Sequence, residues 1–276
     1  MIIIITKLYL GSDVVERNTR KAILVVSSGT VNEKARKENI EAVEKEIEKT
    51  FSVYEVRRAF SSEKIVNKLI IRYGIAIERP EGALSRLKGE GFEEVIVQPL
   101  HIIAGDEYES VQNIAERYKA EFKSLKLGRP LLSEAEDYGK VLEAIKYQLP
   151  ELSEHKVVVL MGHGSSNSAD ESYETLQNAI DKEKLNIFVG TISGKLTITS
   201  IIDRLKKKNA EEIILMPLML VAGKHAIKDM AAEKSSSWKS MLEAEGFKVE
   251  VHLCGLGENK EIQKLYVEKL KAAILS

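Results

Sequence analysis

The chain has 276 residues, 44% of them apolar, enough for two ordinary domains with buried cores. Lys and Arg (41) balance Asp and Glu (42), so no net field draws the protein to nucleic acid or an anionic membrane, and a polyanionic ligand must be met by local charges. The single cysteine, Cys254, excludes an internal disulfide framework and fits a reducing, cytoplasmic setting.

Met1 and the isoleucines at 2–5 have the look of a signal or an anchor, but no basic segment precedes them and Lys7 interrupts the run. No stretch of the chain approaches the ~20 apolar residues of a spanning helix, so an edge strand or ordered arm is expected there. Residues 21–26 are an aliphatic run closed by Ser27, Ser28, Gly29 and Thr30. Ile40, Val43, Ile47 and Phe51 then keep helical spacing on a charged background. A second strand is predicted at residues 53–56, followed by a loop through Ala59, Phe60, Ser61 and Ser62 and a helix carrying Ile65, Leu69 and Ile70. Pro80 at a helix start, Leu84, Leu87, and then Gly89 and Gly91 mark a third helix with its stop. Residues 95–97 form a strand, and a long loop through His101 and Glu107 leads to a helix near residues 111–122. Alternating β runs and helical patterns are the mark of a mostly parallel sheet with right-handed crossovers.

Gly128 and Pro130 interrupt the pattern, and after them the chain repeats itself. Residues 26–30 answer to 161–165, residues 94–100 to 212–218, and residues 104–107 to 222–225. The fold class is therefore α/β: two similar domains, residues 1–131 and 132–276, each a mostly parallel sheet flanked by helices, with a cleft between them. The buried run at 157–161 empties into Gly162-His163-Gly164-Ser165, and strand ends of open α/β sheets are where ligands bind. In the repeat, Ser28 corresponds to His163 and Glu107 to His225. Facing halves would direct two imidazoles and a carboxylate into one cleft. That set suits a borderline divalent metal and can accept protons from weakly acidic N–H groups near neutral pH. His-Glu-x-x-His, Cys-x-x-Cys, P-loop and Gly-x-Ser-x-Gly motifs are absent. The glycine-flanked loop could cradle a phosphate, but no lysine stands at the right spacing.

The ordered set Ser28-Gly29-Thr30, Ala59-Phe60-Ser61-Ser62, residues 97–103, Gly105-Asp106-Glu107-Tyr108, Gly162-His163-Gly164-Ser165, Gly190-Thr191, residues 216–219 and residues 222–230 resembles the anaerobic cobalt chelatases, the sirohydrochlorin cobaltochelatase family, over nearly the whole chain after residue 20. The resemblance implies an ATP-independent tetrapyrrole chelatase of cobalamin biosynthesis. Its substrates would be sirohydrochlorin or a precorrin relative and a divalent metal, Co2+ first, with Ni2+ or Fe2+ as alternatives, and no nucleotide. It implies catalytic roles for His163, His225 and Glu107, with His163 and His225 as metal ligands. Two departures stand out. Ser193 occupies the place of a metal-ligating family glutamate, and Asn167 that of a second histidine in the Gly162 to Asp170 segment. A neutral hydroxyl is a poor substitute for a carboxylate ligand.

Lys224, Lys195 and Arg58 are candidate partners for the carboxylates of such a macrocycle. His101 reads first as a packed histidine and second as a cleft-wall residue. His155 and His252 read as ordinary, Trp238, Met219, Met230 and Met241 as core or helix-face residues, and residues 206–208 as a helix C-terminus. Neither nucleic acid nor membrane is expected as a partner, and a homo-oligomer remains open. Beside the enzyme stand two other readings: a carrier of tetrapyrrole or metal that catalyses nothing, motivated by Ser193 and Asn167, and a two-lobed periplasmic-type receptor, which the lack of a signal peptide disfavours.

Overall fold

The computed structural model describes residues 19–152 and 155–276, so the expectation for residues 2–5 lies outside the described residues. Two four-stranded sheets carry the chain, each wholly parallel. The first holds β1 (Lys21–Ser27), β2 (Glu55–Phe60), β3 (Glu94–Pro99) and β4 (Ser124–Leu127) in the order β2-β1-β3-β4. The second repeats that order as β6-β5-β7-β8, with β5 (Lys156–Gly162), β6 (Ile187–Thr191), β7 (Glu212–Pro217) and β8 (Lys248–Val251). The duplication seen in the residues is thus a duplication of topology.

In the first half, α1 (Glu33–Ala35) runs through a π-helical turn (Arg36–Ile40) into α2 (Glu41–Thr50), followed by α3 (Glu63–Tyr73), α4 (Pro80–Gly89) and α5 (Asp106–Tyr118). The second half contributes α6 (Ala135–Lys146), α7 (Glu171–Lys182), α8 (Ile198–Lys207), α9 (Trp238–Ala244) and α10 (Lys260–Leu275). Three boundaries differ from expectation. α5 starts at Asp106 and ends at Tyr118, so Glu107 stands in its first turn and not in the loop before a helix at 111–122. β2 starts later and runs through Phe60, because Tyr54 N–H bonds the Phe51 carbonyl (2.9 Å) and closes a turn that leaves Val53 exposed. The stretch just before Gly128 and Pro130, for which no element was expected, holds the edge strand β4, whose short Ser-Leu-Lys-Leu sequence has too little periodicity to announce itself.

Each central strand is apolar on both faces because each face is covered. Ala22, Leu24 and Val26 pack under α4 and α5, and Val157, Val159 and Met161 pack with Ile201, Trp238 and Leu242. Ile23 and Val25 share a third core with Val158 and Leu160, filled by α2, α6, α7 and α10. This last core is continuous between the halves. Tyr266 of α10 is fully buried and donates to the Leu100 carbonyl (2.9 Å), just past β3, and Lys126 of β4 donates to the Ile274 carbonyl (2.7 Å).

Candidate active site

Both sheets end, at the carboxyl edge of their central strands, in the loops that carry the candidate residues. β1 stops at Ser27 and leaves Ser28 half-buried at its end; β5 stops at Gly162 and exposes His163. A side chain cannot replace Gly162, because an added Cβ would stand 2.5 Å from the Tyr173 ring beneath it. Gly164 takes φ +84° and approaches so closely that a Cβ would lie 2.3 Å from the Ser193 carbonyl oxygen. The Tyr173 ring is buried beneath the loop, and burial pushes the pKa of its hydroxyl up to about 12. Asp170, also buried, accepts from the N–H of Ser165 (3.1 Å) and of Lys195 (2.8 Å), tying the histidine loop to the loop after β6. Ser193 N–H closes the same junction on the His163 carbonyl (2.9 Å). The imidazole of His163 is thus exposed while its loop is tied down through the backbone N–H groups of Ser165, Ser193 and Lys195.

His225 ends the matching loop after β7 and precedes a π-helical turn (Ala226–Met230). Its Nδ1 lies 2.7 Å from Asp229 Oδ2, and Asp229 is held in turn by Lys234 (3.3 Å). Partial burial raises the Asp229 carboxyl, but the bonds to His225 and Lys234 outweigh it, leaving it below the ordinary aspartate range. With Nδ1–H donated to Asp229, His225 keeps Nε2 as its free lone pair. His163 does the same when Nδ1 donates to the Gly164 carbonyl oxygen, 3.2 Å away. The two rings lie 5.0 Å apart between centroids at 84° to each other. They form a pair of nitrogen donors, and no group of three His, Cys, Asp or Glu side chains is placed to hold a metal among the described residues.

Glu107 belongs to the other half, in the first turn of α5, where the helix N-terminus favours a carboxylate. It accepts a hydrogen bond from the Ser28 hydroxyl and stands 3.5 Å from His101 Nε2. Burial raises its carboxyl, yet the Ser28 bond and the imidazoles of His101 and His163 outweigh that effect and hold it below the ordinary glutamate range. The His163 contribution acts from the opposite half. His101 is almost wholly buried, and neither ring nitrogen has a hydrogen-bond partner among the described residues; it backs Glu107. Polar bridges cross the junction beside these groups: Ser166 Oγ donates to Asp106 (3.0 Å) and Asn167 Nδ2 to Glu109 (2.8 Å). Asn167 therefore serves as a strut between the halves.

Ser193 lies on the surface one backbone bond from His163, so a longer acidic side chain could reach the imidazole pair. Ser193→Glu is expected to tighten Co2+ binding to the free protein about tenfold by calorimetry, the scale on which neighbouring groups tune metal sites. Unchanged affinity would mean that the position points away from the metal. The three basic candidates separate. Arg58 is consumed by Glu44 and Glu41, Lys195 sits 3.4 Å from Glu171, and Lys224 is exposed without an ion pair among the described residues. Asp229, Asp170 and Tyr173 were not singled out as site residues from the sequence. Asp229 alone left a signal there, its i+4 spacing from His225.

Comparison with known proteins gives a consistent picture. The family model described as cobalt chelatase (CbiK) matches residues 21–275. The chain is 38% identical over 255 residues to a protein named sirohydrochlorin cobaltochelatase from Salmonella typhimurium, covering 92% of this chain and 97% of that one. It is 31% identical over 264 residues to sirohydrochlorin cobaltochelatase CbiKC of Nitratidesulfovibrio vulgaris, covering 93% and 91%. In fold it is similar to SirB from Bacillus subtilis, solved with Fe3+, at a TM-score of 0.61, 17% identity and coverage of 92% and 96%. CbiX, described as the terminal enzyme of siroheme biosynthesis in denitrifying bacteria, superposes with a TM-score of 0.54, 18% identity and coverage of 92% and 99%.

Proposed function

The chain belongs to the cobalt chelatase (CbiK) family, and from that premise we propose that it inserts Co2+ into sirohydrochlorin, without a nucleotide, in cobalamin biosynthesis in the cytoplasm. No helix among the described residues is long and apolar enough to cross a membrane. The observation that carries the chemistry is the pair of imidazoles at 5.0 Å, each oriented through Nδ1 with Nε2 left for a cation or a proton.

Inserting M2+ into the macrocycle releases two pyrrole protons, so the site must deliver a cation and take up protons. Neutral imidazoles do both, since the nitrogen that releases the metal becomes free to accept a proton. His163 accepts the first proton. Glu107, negative and across the cleft, stabilises the resulting imidazolium, and Asp229 does the same for His225. Histidine donors without a third carboxylate hold the ion weakly enough to hand it on.

Anaerobic incubation of sirohydrochlorin with Co2+, Ni2+ or Fe2+, with and without the protein and followed by absorbance, tests the reading. Acceleration with Co2+ supports it; tight binding of sirohydrochlorin with no acceleration by any metal would make the protein a carrier. Glu107→Gln is expected to slow insertion by about a hundredfold while sparing Co2+ binding, because it removes charge and leaves a side chain of similar shape. The Glu107 charge survives acidification through the usual glutamate value of 4.5, so its contribution disappears only below that pH. Loss of Co2+ binding in Glu107→Gln would instead make this carboxylate the third metal ligand.

A further inference from the structure

The halves share a topology but differ at one connection. In the second half, Thr191 N–H bonds the Leu196 carbonyl (2.7 Å), and Thr197 caps α8 directly afterwards. In the first half, Phe60 N–H makes the same bond to the Glu78 carbonyl (2.9 Å), and Arg79 occupies the cap position of α4. Between these equivalent points the first half inserts α3 and a return segment. The excursion leaves from Ser61, whose N–H bonds the Ser27 carbonyl (2.9 Å), next to Ser28 and hence to Glu107, and it returns beside Phe60. It therefore stands on the carboxyl edge of the first sheet, beside the cleft, and not on a sheet face.

The composition of α3 is unusual for this chain. No acidic residue occurs between Glu63 and Glu78, although the protein has 42 of them. Val66 and Leu69 face the core. Lys64, Lys68 and Arg72, spaced i, i+4 and i+8, lie on the opposite side, and none has an ion-pair or hydrogen-bond partner among the described residues. Beside them Ile71 is 81% exposed, with Ile70 and Tyr73 exposed at the same end. Eight residues of helix set Lys64 about 12 Å from Arg72. A row of uncompensated cations next to uncovered apolar side chains matches one kind of ligand: a broad apolar disc rimmed with carboxylates. Such a disc would offset both the stranded charge and the exposed isoleucines.

We infer that α3 is the recognition wall for the tetrapyrrole, with Lys64, Lys68 and Arg72 taking its peripheral carboxylates and Ile71 lying against its ring system. The assignment rests on the chelatase reading and replaces Arg58 and Lys195, which are engaged elsewhere, as partners of the substrate's acids.

The test is the full-length protein with Lys64→Glu, Lys68→Glu and Arg72→Glu combined. The expected result is a KM for sirohydrochlorin raised about a hundredfold, with kcat nearly unchanged, since three charge contacts at the rim of the substrate act on binding and not on the reacting nitrogens. Calorimetric Co2+ affinity should match that of the unaltered protein. The KM of the unaltered protein should rise with ionic strength, that of the variant should not, and Lys64→Arg with Lys68→Arg should behave as the unaltered protein does. An unchanged KM in the folded charge-reversal variant overturns the inference, and so does a loss confined to kcat. If the unaltered protein inserts no metal, the chelatase reading fails by itself. Sirohydrochlorin binding by fluorescence then decides the role of α3: loss in the variant supports it and equal binding overturns it.

Discussion

His163→Ala and His225→Ala are each expected to slow cobalt insertion by about a thousandfold, within the range that a positioned proton acceptor supplies, and to weaken Co2+ binding to the free protein. The two substitutions should act alike because the two rings lie side by side, 5.0 Å apart between centroids. Neither should disturb the fold. The His163 side chain is exposed and the His225 side chain is 44% exposed, and substitutions at such positions ordinarily shift stability by no more than about 0.5 kcal/mol. The backbone bond from Ser193 N–H to the His163 carbonyl does not involve the imidazole. Single-turnover absorbance measurements, with circular dichroism melts as the control, distinguish the outcomes. Near-full activity in either alanine variant, or loss of activity together with loss of the melting transition, would remove that histidine from the chemistry.

The largest effect on stability is expected at a site remote from the cleft. Lys269 of α10 and Asp137 of α6 form an ion pair with side chains only 8% and 6% exposed. Asp137 Oδ2 also accepts from the N–H of Ser133 (2.9 Å) and Glu134 (2.7 Å), and so fixes the start of α6. Lys269→Met leaves that carboxylate buried without its counter-charge and should cost about 3 kcal/mol, whereas pairing it with Asp137→Leu should recover part of the loss. The effect depends on pH. Burial raises the Asp137 carboxyl, but Lys269 and the two N–H donors outweigh it and hold it below its ordinary value of 3.8. Its stabilising contribution is therefore complete above 3.8 and is lost as the pH falls through the depressed folded value. In Lys269→Met the acid limb should begin at higher pH. Urea unfolding across pH measures both effects; a Lys269→Met curve that overlays the unaltered protein at neutral pH would show that the pair contributes nothing net.

The meeting of the two histidines was legible in the residues because it follows from a repeat. Ser28 and His163 end the same strand of each half, and Glu107 and His225 sit eight residues past Pro99 and Pro217. Strands apolar on both faces announced the parallel sheets for a similar reason, since burial on both sides permits nothing else. What stayed hidden depends on contacts distant in sequence. The support of His163 by Asp170 and Tyr173 has no local pattern, because a buried aspartate and a buried tyrosine look the same in sequence as exposed ones. His101 read as a packed histidine, and it is packed; its place behind Glu107 emerges only when the loop after β3 folds against α5. Arg58 looked available because Glu41 and Glu44 lie more than ten residues away, on α2.

The return of α10 to the first sheet sets the order in which the chain can be completed on the ribosome. Residues 260–275 supply Tyr266 to the Leu100 carbonyl and Ile262 and Leu270 to the core that also holds Ile23, Val43 and Ile96. A nascent chain that has finished β1 through β4 thus carries one sheet face closed by α4 and α5 and another covered only in part, by α2. The part that α10 closes must wait for more than a hundred further residues, several seconds at ordinary elongation rates of about 5–20 residues per second. For that interval the first half is a natural client for chaperones, and truncation before α10 should leave both halves prone to aggregation, including the half whose own residues are all present.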